Sequence, residues 1–168
     1  MFDGCKSLTS IPQLDTSKVV AMSYMFYSCS SLTTIPLLNT SSVVRMTSMF
    51  YNCTSLTSIP PLDASKVTNI QYVLGATSSS SPSNLTDFGG FKDLGKAFTT
   101  ASATTTSQIL NLTYCTSLTH ESLMNVINNL YDLNLNGKGG TLTLGTNNLS
   151  KLTPDEIAIA TSKGWTVS

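Results

Sequence analysis

Apolar residues recur at a fixed phase every 24 positions through the first 72 residues. MFDGCKSLTSIPQLDTSKVVAMSY is followed by MFYSCSSLTTIPLLNTSSVVRMTS and then by MFYNCTSLTSIPPLDASKVTNIQY. The columns are Met1/Met25/Met49, Phe2/Phe26/Phe50, Cys5/Cys29/Cys53, Leu8/Leu32/Leu56 and Ile11/Ile35/Ile59, closed by Pro12/Pro36/Pro60. A period of roughly 20–50 residues predicts a solenoid, in which each unit buries its apolar side chains only against the next copy. The stretch from leucine to proline reads as a brief strand that ends near the proline, because proline cannot donate to a ladder. Val43, Met46 and Met49–Phe50 fit a 3₁₀ turn, a single helical turn or a second short strand, and periodicity does not separate these.

The repeat then loosens. Val73 takes the methionine phase, and Thr77 to Asn84 (TSSSSPSN) reads as a low-complexity loop. NLTDFGGF restores the phase, with Leu85 matching Leu56, Phe88 matching Ile59 and Gly89 in the place of Pro60. Thr99 to Ser107 is a second Ser/Thr/Ala-rich connection. From Ile109 the pattern changes type: ILNLTY and TLTLG alternate as strands, and Leu123, Val126, Ile127 and Leu130 mark the apolar face of a helix from Glu121 to Tyr131. A loop over Asn134 to Gly140 follows. Thr153, Pro154, Glu156 and Gly164 signpost a last helix, with N-cap, first-turn proline, capping box and C-terminal glycine. A final short strand falls on Trp165–Val167. The chain therefore reads as a single α/β solenoid of leucine-rich-repeat type, with β/3₁₀-rich N-terminal rungs and α-helical C-terminal rungs. Its parts are three repeats over 1–72, an irregular rung over 73–108, and strand–helix repeats with a C-terminal cap over 109–168.

Composition narrows the function. Only 11% of residues are charged and the formal net charge is zero. A nucleic-acid or anionic-membrane binder needs a basic field, so neither partner is expected. No apolar run is long enough to span a bilayer, and direct membrane insertion is not expected either. Met1 opens directly on a repeat block without a basic segment and apolar core, so no signal peptide is read, and the abrupt start reads as a fragment of a longer chain. Three of the four cysteines share one repeat phase, unlike the close pairs that clip zinc, and Cys115 recurs in the same local text. A ladder of buried free thiols is expected.

The blocks MFYNCTSLTSIPPLD and SLTHESLMNVINNL and the ending IAIATSKGWTVS resemble the BspA-type leucine-rich-repeat proteins of bacterial surfaces. The resemblance covers nearly the whole chain and is weakest over 76–83. It implies a right-handed superhelix and a secreted or cell-wall-attached adhesion module that recognises a host matrix protein or another cell. It gives Met25, Phe26, Cys29, Leu32 and Ile35 structural roles. The extracellular or cell-surface location comes from the resemblance alone. The alternative is a structural or appendage component, such as a phage tail-fibre tip or a self-associating stalk.

No catalytic, cofactor-binding or metal-binding residue is assigned. His120 lies near Cys115 and Glu121, yet it falls just before a helix, where a polar residue is ordinary, and no orienting third group can be named. Asp155–Glu156 suits a helix N-terminus, and DFGGF lacks the companions of a kinase motif. Five Asn-x-Ser/Thr sequons, beginning at Asn39, Asn52, Asn84, Asn111 and Asn148, follow from a composition rich in these residues. The candidate partner-binding stripe is Thr9 and Ser10, Thr33 and Thr34, Thr57 and Ser58, Thr86 and Asp87. In an extended segment side chains alternate, so at least one of each pair should face water. The partner is expected to be a protein or cell-surface ligand, and the chain a monomer.

Overall fold

The computed structural model describes residues 1–99 and 105–168. The Ser/Thr/Ala-rich connection read over Thr99 to Ser107 lies partly outside these. Successive repeats lie side by side in parallel, one period apart: Ala21 pairs with Arg45 and Arg45 with Asn69, while Thr34 pairs with Ser58. Named strands begin in the third repeat. β1 (Ser58–Ile59) pairs in parallel with β3 (Asp87–Phe88), and β2 (Leu62–Asp63) with β4 (Phe91–Lys92). β1 stops directly before Pro60, which has no N–H to give the ladder. The pairing of Ile59 with Phe88 puts Gly89 opposite Pro60. Glycine is required there, because a Cβ on Gly89 would lie 2.4 Å from the Pro61 ring.

The segment from Met22 to Cys29 is neither helix nor strand, and its hydrogen bonds show why. The N–H groups of Met22, Tyr24, Phe26 and Ser28 donate to the next repeat, at Arg45, Thr47, Met49 and Tyr51. Those of Met25, Tyr27 and Cys29 donate back to the carbonyl three residues earlier. Each of these donors has a partner, so a chain of turns satisfies most of the backbone without forming a helix. The alternation recurs one period later, where Met46, Ser48, Phe50 and Asn52 reach Asn69, Gln71, Val73 and Ser80. Two residues per turn take left-handed backbone at fixed phases: Tyr24, Ser48 and Tyr72 form one column, and Gly4, Ser28 and Asn52 the other. Inward-facing side chains of this segment stack, with Phe2–Phe26 and Phe26–Phe50 centroids each 5.7 Å apart and the rings nearly parallel.

Low-complexity sequence over Thr77 to Asn84 is packed rather than loose. Ser80, Ser81 and Pro82 are buried, Asn52 N–H donates to Ser80 O, and Ser80 Oγ accepts from the N–H groups of Ala76 and Thr77. Beyond it, β5 (Ile109–Asn111), β6 (Thr141–Thr143) and β7 (Thr166–Val167) form a parallel sheet in that order. The helices are α1 (His120–Asn129), α2 (Gly145–Leu149) and α3 (Pro154–Ser162). The first differs from expectation, since Thr119 is the cap, accepting from Ser122 N, and His120 is the first helical residue. The five-residue α2 and a 3₁₀ turn over Leu133–Leu135 were not read from the sequence. α3 has the full reciprocal capping box between Thr153 and Glu156.

Two lysines tie helical units together. Lys163 Nζ donates to Ile127 O and Asn128 O at the C-terminal end of α1, and Lys151 Nζ donates to Thr116 O and Leu118 O. Burial lowers the pKa of both amines. The single core runs the length of the stack, from Ile11 and Met22 through Phe88 and Phe91 to Leu142 and Trp165.

Cys29, Cys53 and Cys115 are buried free thiols, while Cys5, in the first repeat, is exposed. Cys29 Sγ donates to Phe2 O at 3.0 Å and Cys53 Sγ to Phe26 O at 2.9 Å. Burial pushes the Cys53 and Cys115 thiols up to about 12 and raises Cys29 as well. In native protein near neutral pH a thiol reagent should therefore modify Cys5 quickly and the other three only on unfolding. Because a serine can keep the donor role of Cys53, Cys53→Ser should cost about 1 kcal/mol or less. Cys115→Ser, whose thiol has no such acceptor among the described residues, should cost about 1–3 kcal/mol in chemical denaturation. Equal costs would refute the hydrogen-bonded ladder.

Candidate functional site

The stripe named from the sequence is on the surface. Thr9, Ser10, Thr33, Thr34, Thr57, Thr86 and Asp87 are exposed and Ser58 is half-buried. The two columns differ in what their hydroxyls do. Thr33 Oγ1 donates to Thr9 O, Thr57 Oγ1 to Thr33 O and Thr86 Oγ1 to Thr57 O, at 3.1–3.2 Å. The same carbonyls also accept the backbone N–H of the next threonine. That column is committed to holding repeats together. In the second column, Ser58 Oγ donates to Asp87 Oδ2 at 3.0 Å.

A concavity absent from the sequence reading lies at the next corner of each repeat. Its volume is about 700 Å³. Three columns line it: Gln13/Leu37/Pro61, Leu14/Leu38/Leu62 and Asp15/Asn39/Asp63, the last extended by Lys92. The acidic and amide residues cap tight turns. Oδ1 of Asp15, Asn39 and Asp63 accepts both the N–H and the hydroxyl of Ser17, Ser41 and Ser65 respectively. The hydroxyl and N–H of Ser17 hold Asp15 below the usual carboxylate range. For Asp63 burial pulls upward, but the Ser65 bonds and the charge of Lys92 outweigh it, and its pKa too is lowered. The groove exists because the ladder lapses there. Among the described residues no backbone hydrogen bond joins 13–15 to 37–39, or 37–39 to 61–63. Only side chains bridge the first two corners, Gln13 Nε2 to Leu37 O and Thr16 Oγ1 to Asn39 O. The equivalent hydroxyl of Thr40 is buried without a partner.

Aromatic residues were also missed as a surface feature. Tyr27 and Tyr51 stack with centroids 5.0 Å apart, Tyr24 packs beside Tyr27, and Tyr24 and Tyr72 are roughly half exposed. The signal was available, since Tyr24 and Tyr72 are two periods apart and Tyr27 and Tyr51 one.

His120 does not face Cys115. Its Nε2 lies 2.8 Å from Glu156 Oε1, joining α1 to α3, and Cys115 is buried. Glu156 Oε2 meanwhile accepts from Thr153 N–H and Oγ1. Among the described residues no group of three His, Cys, Asp or Glu side chains could hold a metal ion, and no helix is long and apolar enough to cross a membrane.

A protein family described as "Mycoplasma protein of unknown function, DUF285" matches residues 1–111. The chain belongs to that family. The match takes in the regular repeats and the irregular rung and ends with β5, so the helical units lie beyond it. No curated protein and no solved structure matches the chain.

Two measurements follow from this geometry. The backbone bond from Thr153 and the contact with His120 lower the pKa of Glu156, as the serines lower those of Asp15 and Asp63. A carboxylate with a depressed folded pKa stabilises above its unfolded pKa and loses that contribution as pH falls through the folded value. The melting temperature should therefore drop below about pH 4, and Glu156→Gln should flatten part of that fall. Thr40→Val removes the unpartnered hydroxyl at nearly constant shape, so it should leave stability unchanged or raise it by about 1 kcal/mol. A loss of stability would show that the hydroxyl has a partner in solution.

Proposed function

We propose that the chain is a leucine-rich-repeat solenoid of the BspA type and a non-catalytic binding module acting at the cell surface, on a host matrix protein or another cell. The observation that carries this reading is the parallel register of the repeats. It brings residues one period apart in sequence side by side on one exposed face, with Ser10, Thr34, Ser58 and Asp87 in neighbouring rungs. Such an array offers a partner the same contact several times over. It is polar and lacks aromatic or arginine anchors, which argues for weak single-site binding multiplied by repetition. The threonine column beside it is spent on the ladder and supplies rigidity. Family membership supports the reading only as far as the family's description goes, since that description assigns no function.

Thr34 is exposed, and among the described residues its side chain makes no hydrogen bond. Thr34→Glu should therefore reduce adhesion to a panel of matrix proteins and bacterial cells by about threefold or more, with no change in melting temperature. Absence of binding by the wild-type protein across that panel, alone and as a multimer, would remove the adhesion reading.

A further inference from the structure

We infer that a cleft between the third repeat and β5 is a site of strand addition. It takes a neutral extended segment of another protein, with one small branched aliphatic side chain seated in the cleft. The site goes beyond the hydroxyl stripe and is formed by other segments. It lies where the two kinds of repeat meet. In the regular repeats, the N–H groups of Tyr24 and Phe26 donate forward to Thr47 O and Met49 O, and those of Ser48 and Phe50 to Gln71 O and Val73 O. In the third repeat the ladder starts with Ile70 N–H on Ser107 O and goes no further. Among the described residues the N–H groups of Tyr72 and Leu74 have no acceptor. The cause is a mismatch of pitch. Residues 70–75 are a compact chain of turns, with Val73 N–H on Ile70 O and Gly75 N–H on Tyr72 O. Opposite them runs the extended β5, which advances about 3.3 Å per residue. Chains that advance at different rates lose register after one bond and part. Gln71 Nε2 donates to Thr106 Oγ1 at 3.1 Å beside that last bond. Beyond it is a hollow of about 110 Å³, lined by residues 72–75, Thr106, Ile109 and Asn111.

Main-chain chemistry selects the occupant. β5 is an edge strand, in a sheet of order β5–β6–β7. Leu112 N–H donates to Thr143 O, and Leu110 is in register with Leu142. Alternate residues of a parallel strand serve one neighbour, so the main-chain groups of Ile109 and Asn111 point away from β6. Both residues line the hollow, and among the described residues those groups are unpaired. One lip of the cleft thus presents two N–H donors, and the other presents N–H and C=O groups at strand spacing. An extended backbone supplies both kinds of partner at that spacing, which is how peptides add to exposed sheet edges. Leu74 is buried, and folded chains rarely leave a buried main-chain donor without a partner. No charged side chain lines the hollow, so a charged group entering it would lose water without gaining a counter-charge. A cavity of about 150 Å³ holds a benzene ring. The smaller hollow therefore suits the isopropyl group of a valine and refuses an indole.

The test follows backbone amides of the whole chain by NMR and hydrogen exchange while a capped Thr-Val-Thr-Val-Thr peptide is added. In the free protein, the amides of Tyr72, Ile109 and Asn111 should exchange faster than those of Ser48 and Phe50, which hold ladder bonds. The peptide should bind saturably, shift the resonances of these three residues, and at saturation slow their exchange by about tenfold or more. Three control peptides carry no risk to folding. One is N-methylated at both valines, one has tryptophan in place of valine, and one has glutamate in place of valine. Each should bind about fivefold more weakly or worse. Ile109→Trp, which fills the hollow, should abolish binding. Thr106 is exposed, so Thr106→Trp keeps the fold and should weaken binding about threefold or more by crowding the mouth. Full protection of Tyr72 and Ile109 in the free protein would mean that the ladder closes in solution, and would overturn the proposal. So would absence of saturable binding, equal binding of the N-methylated peptide, or unchanged affinity in Thr106→Trp. Adhesion that depends on Thr34, in a protein that does not bind the peptide, would remove the cleft and leave the binding-module reading standing.

Discussion

Everything in this chain hangs on main-chain hydrogen bonding between one repeat and the next. Individual repeats are too short to bury an apolar face by themselves, and the strands within them are two or three residues long. What keeps them together is a pair of interleaved ladders. In the turn segment, alternate N–H groups reach forward to the following repeat. In the leucine segment, the donors reach back, from Thr33 to Thr9 and from Thr57 to Thr33. The two directions clamp each unit from both sides, and the apolar columns fill the space that the clamps define. Side-chain stacking of Phe2, Phe26 and Phe50 follows from the register and adds to it.

Where the ladder lapses, surface chemistry appears. The corner after each proline has no backbone pairing between the first three repeats, and that is where the groove, the exposed Leu37 and the carboxylate column lie. Pairing resumes at that corner between the third repeat and the irregular rung, where β2 meets β4, and the groove ends there at Lys92. Gly89 permits the closer approach, since its missing side chain leaves room for Pro61.

Much of the fold was legible in the residues, and the limits have physical causes. The repeat columns announced themselves because a buried site in a stack tolerates only residues of one size. Helix α3 was readable because its signals are local: a capping threonine, a proline and a glutamate within one turn. The turn segment was ambiguous because its hydrogen bonds alternate between local and distant partners, which no local pattern describes. α2 begins at Gly145 with left-handed backbone and has no side-chain cap, so it carried no start signal. The candidate stripe was located by strand alternation, but which of its hydroxyls were spent could not be read. That depends on Oγ1 meeting a carbonyl one repeat away. The groove escaped notice because it is made by missing pairings, and the tyrosine columns because they sit in turns.

The threonine column has a wider consequence. The Leu–Thr pair of Leu8–Thr9, Leu32–Thr33, Leu56–Thr57 and Leu85–Thr86 continues at Leu118–Thr119 and Leu152–Thr153. In the first four the threonine belongs to the ladder, and in the last two it caps a helix. The joint is continuous where the two kinds meet, because Thr119 N–H donates to Thr86 O as its predecessors do. From Thr33 to Thr119 one residue type therefore serves as a coupling: it engages the rung behind it and accepts whatever comes after, turn or helix. Units of 24, 29, 33 and 34 residues succeed one another in this chain without a break in the core. A lineage built on such couplings can lengthen, shorten or exchange the outer half of a repeat while its inner edge stays in register, so its surface can diversify faster than its spine.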